Sequence, residues 1–338
     1  MFTKSLTTAL LGASWLALAQ PSLAETAYPL HLTNCGVDLV FDKAPESAVT
    51  VGQAATEILY ALGLGDKVRG TSVWFTDVLP EFAALNASVE RLSDNDPSFE
   101  SVVAKRPGLV AVQYEWHVGP QGIVATRDQF ADVGIPTYTL PADCVGKDNT
   151  SGSDGTRTAM YSLDSLYLGV AELAQIFNIP ERGDALIADL KAREAAAIAK
   201  ARDLALADAS AVFWFSSAEM DIDPYVAGNG GAPAFMMAAL GLRNVIDSAE
   251  EWPTVSWETI ARSNPTVIVV ARMERRRFLA DDVEKKLEFL KTDPVASQMD
   301  AVKNGRIVIL DAHGMDPSIR NIAALEVLAD ALAGFGLK

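Results

Sequence analysis

Cysteine is nearly absent from this 338-residue chain, which holds only Cys35 and Cys144. Two cysteines leave one intramolecular pairing. In an oxidising compartment they are expected to form a disulfide; the alternative is two buried thiols. The disulfide closes a loop of 109 positions, worth roughly 4.7 kcal/mol in the chain-entropy model. Histidine is also scarce, with His31, His117 and His313 the only three. His117 beside Glu115 is too little for a transition-metal site, which needs several converging ligands. No G-x-S-x-G, P-loop or H-E-x-x-H pattern occurs, so the common hydrolase and metalloprotease chemistries have no support. Positive charge is short as well. The chain has 28 Lys and Arg against 44 Asp and Glu, a net charge of −16, which argues against nucleic acid as a partner. Long apolar runs are missing after the first residues. Lys4, the apolar stretch 6–19 and the small-x-small site Ser22-Leu23-Ala24 read as a signal peptide over residues 1–24, too short to span a bilayer comfortably. The residue directly after Ala24 is Glu25 and not a cysteine, so a lipid anchor there is not expected, and the product is expected to be soluble and exported, beginning at Glu25.

What the chain does contain is an internal echo. Residues 98–112, SFESVVAKRPGLVAV, recur 158 positions later as residues 256–270, SWETIARSNPTVIVV, without a gap. Each copy opens on a Ser N-cap with a carboxylate in the first helical turn, Glu100 or Glu258. Apolar residues at helical spacing follow, then Pro, then an unbroken apolar run suited to a buried parallel strand. A second echo, Ala61-Leu62-Gly63-Leu64 and Ala239-Leu240-Gly241-Leu242, lies in the same order. Two echoes in one order predict two similar α/β lobes. Residues 25–157 are assigned to the N-terminal lobe, 158–180 to a linker helix and 181–338 to the C-terminal lobe. The linker carries an apolar stripe through Leu163, Leu166, Val170, Leu173 and Phe177. A helix is a stiff connector and limits the lobes to small relative movements.

In open α/β sheets, ligands bind beyond the carboxyl ends of the strands. There the first lobe carries Gln53, Trp74, Tyr114, Trp116 and His117, and the second carries Tyr225, Trp252, Arg272 and the run Arg275, Arg276, Arg277. Two facing sets of such loops make an inter-lobe cleft whose aromatic walls and few cations suit a flat or bulky anionic ligand. Trp214 sits inside an apolar strand and is expected in the core, whereas Trp74, Trp116 and Trp252 stand in polar surroundings that favour the cleft. The bland reading of the arginine run is a solvated face paired to Glu274, Asp281 and Asp282; from its place straight after a core strand, at least one Arg is expected to meet the ligand. The run Gly228 to Gly231 before a helix resembles a phosphate-cradling loop only weakly.

Taken together, the segments VTVGQAATEILYALGLGDKVRGTS, FESVVAKRPGLV and GLRNVIDSAEEWPTVSWETIARSNPTVIVV, with the linker helix, resemble the periplasmic substrate-binding proteins of ABC importers, of the helical-backbone class that serves iron–siderophores, haem and cobalamin. The resemblance implies two Rossmann-like α/β lobes joined by a long helix, a ligand cleft between them, no enzymatic activity and a periplasmic location. It implies that Glu100 and Glu258 dock onto arginines of a two-fold inner-membrane permease; the bland alternative is that each acid only favours its helix N-terminus. It adds Arg320 as a residue near the cleft. A Cys-Gly near the mature start and arginines in the second-lobe loops are closer to siderophore binders, whose ferric ion is carried by the ligand and needs neither a protein metal ligand nor a cofactor. Tyr114 and Tyr225 keep haem open, and cobalamin remains a further alternative. The expected protein is monomeric, with a metal-chelate small molecule as cargo. A two-lobed exported metalloenzyme is the competing class.

Overall fold

The computed structural model describes residues 25–150, 155–204, 206, 208–275 and 277–337. The expected signal peptide and Arg276 lie outside the described residues. Strands β1 (Leu30–Asn34) and β2 (Val37–Phe41) form an antiparallel hairpin. Strands β3 (Ala48–Val51), β4 (Val68–Ser72), β5 (Arg91–Ser93), β6 (Leu109–Val112) and β7 (Thr137–Thr139) make a parallel sheet of order β5-β4-β3-β6-β7. A small antiparallel pair, β8 (Lys147–Asp148) and β9 (Thr156–Arg157), follows. The second sheet has the order β11-β10-β13-β14 from β10 (Ser210–Ser216), β11 (Tyr225–Val226), β13 (Val267–Arg272) and β14 (Ile307–Asp311), with β12 (Arg243–Asn244) also on β10. In that sheet only the β10–β11 pairing is antiparallel.

The central strands are apolar throughout because both of their faces are covered. Every residue of β3 and β6 is buried, as are the first five of β13. Val49 and Val110 pack on one face of the first sheet, Ala48 and Leu109 on the other. The second sheet repeats this with Val212 and Ile268 against Phe213 and Val269.

The echo in the sequence is an echo in structure. Ser98 caps the helix Phe99–Val103 by accepting from the Ser101 amide, and Ser256 caps Trp257–Ser263 by accepting from Thr259. Each copy then turns through a left-handed residue directly before its proline, Arg106 with φ 46° and Asn264 with φ 45°. In the second echo, Gly63 and Gly241 both take positive φ, 72° and 78°, a conformation in which a Cβ is strained.

The lobes are crossed one helix later than expected. Helix Leu163–Ile176 does not join the lobes; its stripe packs within the first core. The crossing falls to Pro180–Arg202, whose Leu186, Ile187 and Leu190 reach the first core and whose Ala197, Ile198 and Ala201 reach the second. Its 23 residues span about 35 Å at 1.5 Å per residue. The final helix, Arg320–Gly334, also touches both cores, through Ile322 at its start and Leu325, Leu328 and Leu332 beyond. Arg193 forks onto Glu326 at 2.9 and 2.8 Å, and Lys200 pairs with Asp330, tying the two helices side by side.

Cys35 and Cys144 form a disulfide, Cα to Cα 5.6 Å. The bond fastens the turn of the β1–β2 hairpin to the loop after β7. Beside it, the Asn34 side chain accepts from the Thr139 amide and donates to the Thr139 carbonyl, both at 2.8 Å. Among the described residues no helix is long and apolar enough to cross a membrane.

Candidate functional site

The carboxyl ends of the two sheets face each other across a cleft of about 570 Å³. On the first-lobe side the chain leaves β6 into a short turn that presents Tyr114 and Trp116, their rings stacked at 4.4 Å and 11°. His117 beside them is fully buried, its Nε2 3.0 Å from Asp96 Oδ1. That hydrogen bond holds the Asp96 carboxyl below the usual carboxylate range, against the opposing effect of burial. Glu115 turns away from the cleft onto Arg127 and Thr139, at 2.8 and 2.7 Å. Its amide donates to the buried Asp143 at 2.6 Å. The Tyr114 hydroxyl donates across the cleft to Asp316 at 3.3 Å.

The second-lobe wall is Phe215, at the end of β10, packed on Trp252 with ring centres 4.8 Å apart. Both residues are half-buried and line the opening. Arg275 supplies the cation. Its amide donates to the Phe75 carbonyl at 3.0 Å, its guanidinium lies 4.2 Å from the Phe75 ring centre, and its Nη1 donates to Asn95 at 3.2 Å. Burial lowers its pKa, opposed by nearby acidic groups. Its buried Nε has no hydrogen-bond partner among the described residues. Arg277 also lines the cleft.

These loops are held from beneath by buried polar groups. Lys286, fully buried, donates to the carbonyls of Ala271, at 2.8 Å, and Phe215, the ends of β13 and β10. Asp281 accepts from Ser216 Oγ at 2.6 Å and from the amides of Arg277 and Phe278 at 2.7 and 2.8 Å. Asp281 thus meets the backbone of the arginine run, not only its charges. In the first lobe Gln53 does comparable work: its Oε1 accepts from the amides of Phe75 and Thr76 at 3.1 and 3.3 Å.

Of the residues expected at the ligand, Tyr114, Trp116, His117, Trp252, Arg275 and Arg277 line this cleft. Others lie elsewhere. Trp74 is only 2% exposed, donates its indole N–H to Thr71 at 3.0 Å and has Arg91 over its ring, so the cleft expectation for it is corrected. Trp214 is buried in the core, with no exposed surface. Gln53 is likewise fully buried and acts on the loop, not on the opening. Tyr225 sits in β11 beside Phe278, ring centres 6.4 Å apart, away from the lining. Arg272 is exposed at the end of β13 and outside the lining.

Arg320 is spent on a buried network. Its Nε donates to Glu57 at 2.8 Å, and its Nη1 to Asp311 at 2.8 Å and Thr76 at 3.1 Å. Burial alone would lower its pKa; the Glu57 and Asp311 carboxylates together outweigh burial and raise it. Its guanidinium joins first-lobe and second-lobe groups beneath the cleft and makes no part of the lining.

Sequence reasoning missed Phe75, Asn95, Asp96, Phe215 and Asp316, all of which line the cleft. The available signal was position: Phe215 lies at the end of β10, Phe75 and Asp316 follow β4 and β14, and Asn95 and Asp96 stand in the polar loop before the repeat unit. Glu100 and Glu258 are exposed, in the first turns of equivalent helices. Among the described residues no group of three or more His, Cys, Asp and Glu is placed to hold a metal ion.

A sequence model of the periplasmic binding protein family matches residues 49–313. An uncharacterized ABC transporter substrate-binding lipoprotein, YvrC of Bacillus subtilis (strain 168), is 24% identical over 304 residues, 87% of this chain and 82% of that protein. A periplasmic binding protein from Veillonella parvula dsm 2008 superposes with a TM-score of 0.75 at 24% identity, covering 90% of this chain and 97% of its own. An ABC-type Fe3+-hydroxamate transport system structure from Saccharomonospora viridis DSM 43017 gives 0.71 at 24%, covering 90% and 99%. Matches named for vitamin B12 and for haem binding occur at 23% and 24% identity. At these identities the solved structures establish the two-lobed fold.

Proposed function

Since this chain belongs to the periplasmic binding protein family, we propose that it captures a ferric siderophore between its lobes and delivers it to an inner-membrane ABC importer. Family membership makes it an exported substrate-binding transport protein and not an enzyme; the cargo is the proposal. The observation that carries it is Arg275. Its planar fork, with an Nε that has no partner among the described residues, stands in an aromatic cleft beside Arg277. A guanidinium donates paired hydrogen bonds and stays charged, which suits the carboxylate, catecholate or hydroxamate oxygens around a ferric centre. The aromatic pairs supply flat apolar contact for the organic part of the chelate.

Haem is the alternative within the same class, and Tyr114 is the residue it would need. That ring is stacked under Trp116 and its hydroxyl is bonded to Asp316, while Tyr225 is outside the cleft. Neither favours an iron–phenolate bond, so the siderophore reading is preferred over haem; cobalamin remains a test outcome. Delivery is assigned to Glu100 and Glu258, one exposed acid on each lobe in equivalent helices, which meet a two-fold permease as a pseudo-symmetric pair. The protein acts as a monomer, exported with cleavage after Ala24.

The test is a tryptophan-fluorescence titration of the mature protein with ferric catecholate, citrate and hydroxamate chelates, then haem and cobalamin. Saturable quenching by a ferric chelate, weakened in Arg275→Met, is expected. Saturation by haem or cobalamin alone overturns the cargo. Glu100→Arg with Glu258→Arg is expected to abolish uptake while leaving binding intact; uptake that survives overturns the docking assignment.

A further inference from the structure

The glycine run at 228–231 has a use that phosphate binding does not explain. A Cβ on Gly230 would lie 2.2 Å from Arg157 Cβ, and one on Gly231 would lie 2.9 Å from Glu251 Oε1. Neither glycine has a positive φ, so the requirement is space. The space is filled by an ion pair. Arg157 Nε donates to Glu251 Oε2 at 2.8 Å and Nη2 to Oε1 at 3.1 Å, with the two side chains only 1% and 5% exposed. The third arm of the fork, Nη1, donates to the Ala142 carbonyl at 2.9 Å. Around the pair the backbone is stitched as well: Arg157 N–H to the Ala249 carbonyl at 3.2 Å, and Tyr161 N–H to the Gly230 carbonyl at 2.7 Å.

The pair ties the chain leaving the first lobe to the second-lobe segment that ends in Trp252. Lys147, 3.6 Å from Glu251, lies over the Trp116 ring on the facing wall. The two walls of the cleft are therefore joined through one buried cluster. We propose that Arg157 and Glu251, seated on Gly230 and Gly231, are a latch that sets the separation of the aromatic walls before any cargo arrives. They are positioning residues, and the assignment holds whatever the cargo is. The cleft is then a preformed slot, and capture loses little to reorganisation. Opening it breaks a buried pair, which leaves an uncompensated charge.

The test uses the ligand-free mature protein, with its native disulfide. Nitroxides at Asp128→Cys and Glu284→Cys, exposed sites on opposite lobes, report the lobe separation by electron–electron dipolar spectroscopy. Acrylamide, in the same variants without the labels, reports access to Trp116 and Trp252. The wild type is expected to give one narrow distance distribution. Glu251→Gln and Gly230→Ala are expected to broaden it, and to raise the acrylamide quenching constant about two-fold as the opened state becomes populated. Glu251→Asp, which keeps the charge, is expected to restore most of the narrow distribution. Gly230→Ala leaves both charges in place and decides the matter if Glu251→Gln does not fold. Unchanged distances and quenching in a folded Gly230→Ala or Glu251→Gln protein overturn the latch.

Discussion

The two copies of the repeat share a capping serine, a first-turn glutamate, a left-handed residue before proline and a buried parallel strand. They part company at the strand's last residue. After β6 the first copy continues into Tyr114, Trp116 and His117, an aromatic turn whose polar atoms are largely engaged by Asp96, Asp143 and Asp316. After β13 the second continues into Arg275 and Arg277, a cationic turn held by its backbone on Phe75 and Asp281. The scaffold is duplicated and the chemistry is not. A duplicated scaffold gives two equivalent outer acids, Glu100 and Glu258, while the divergent tails give one platform and one charge facing each other. The lesson is that symmetry here belongs to the outside of the molecule and asymmetry to the cleft.

The largest way to break the comparison lies beneath both tails. Glu57→Gln strips Arg320 of its buried carboxylate, leaving Asp311 as its remaining acid. Removing one partner of a buried pair costs about 3 kcal/mol, and urea unfolding is expected to show a loss of that order. Next comes the contrast between tails. Arg275→Met is expected to weaken cargo binding by about 10- to 100-fold, the worth of charge-assisted hydrogen bonds, and Trp116→Ala by about 10-fold or less, that of one aromatic contact. Equal losses in the fluorescence titration would erase the division of labour. Sharper still is a comparison of the caps: Ser98→Ala and Ser256→Ala should each cost about 1 kcal/mol and match within a few tenths if the copies are equivalent.

The smallest effect is titratable. Asp96 is held below the ordinary carboxylate range by His117. A depressed acid stabilises the fold above its unfolded pKa and loses that contribution as pH falls through its folded value. Wild type should therefore exceed Asp96→Asn at pH ~6 by under about 1 kcal/mol, because Asp96 is half exposed. The two should converge in acid.

The repeat was legible because its capping and strand signals are local. So were the two-lobed architecture and the cysteine pairing, where only one partner existed. What was not legible depends on direction or distance. Trp74 and Phe75 are neighbours after β4, and one enters the core while the other lines the cleft; polarity of the surrounding sequence cannot say which. The crossing helix Pro180–Arg202 is less legible than the more apolar Leu163–Ile176, because its core-facing Leu186, Ile187, Leu190, Ala197, Ile198 and Ala201 are set among many charged residues and leave a weak apolar stripe. Arg320 meets Glu57 from 263 positions away, a separation that leaves no local trace. The glycine run gives only a weak likeness to a phosphate-cradling loop, and its packing role leaves no local trace because the side chains that crowd it come from Arg157 and Glu251, outside the run itself.

The fastening of the N-terminal hairpin also bears on the open margin of the first sheet. β7 is an outer strand of the first sheet, and the Asn34 side chain occupies the Thr139 amide and carbonyl there as a neighbouring strand would. The bond between Cys35 and Cys144 keeps that surrogate in place. Unblocked strand margins template pairing between molecules, and oxidation of this one cysteine pair keeps the Thr139 part of that margin covered.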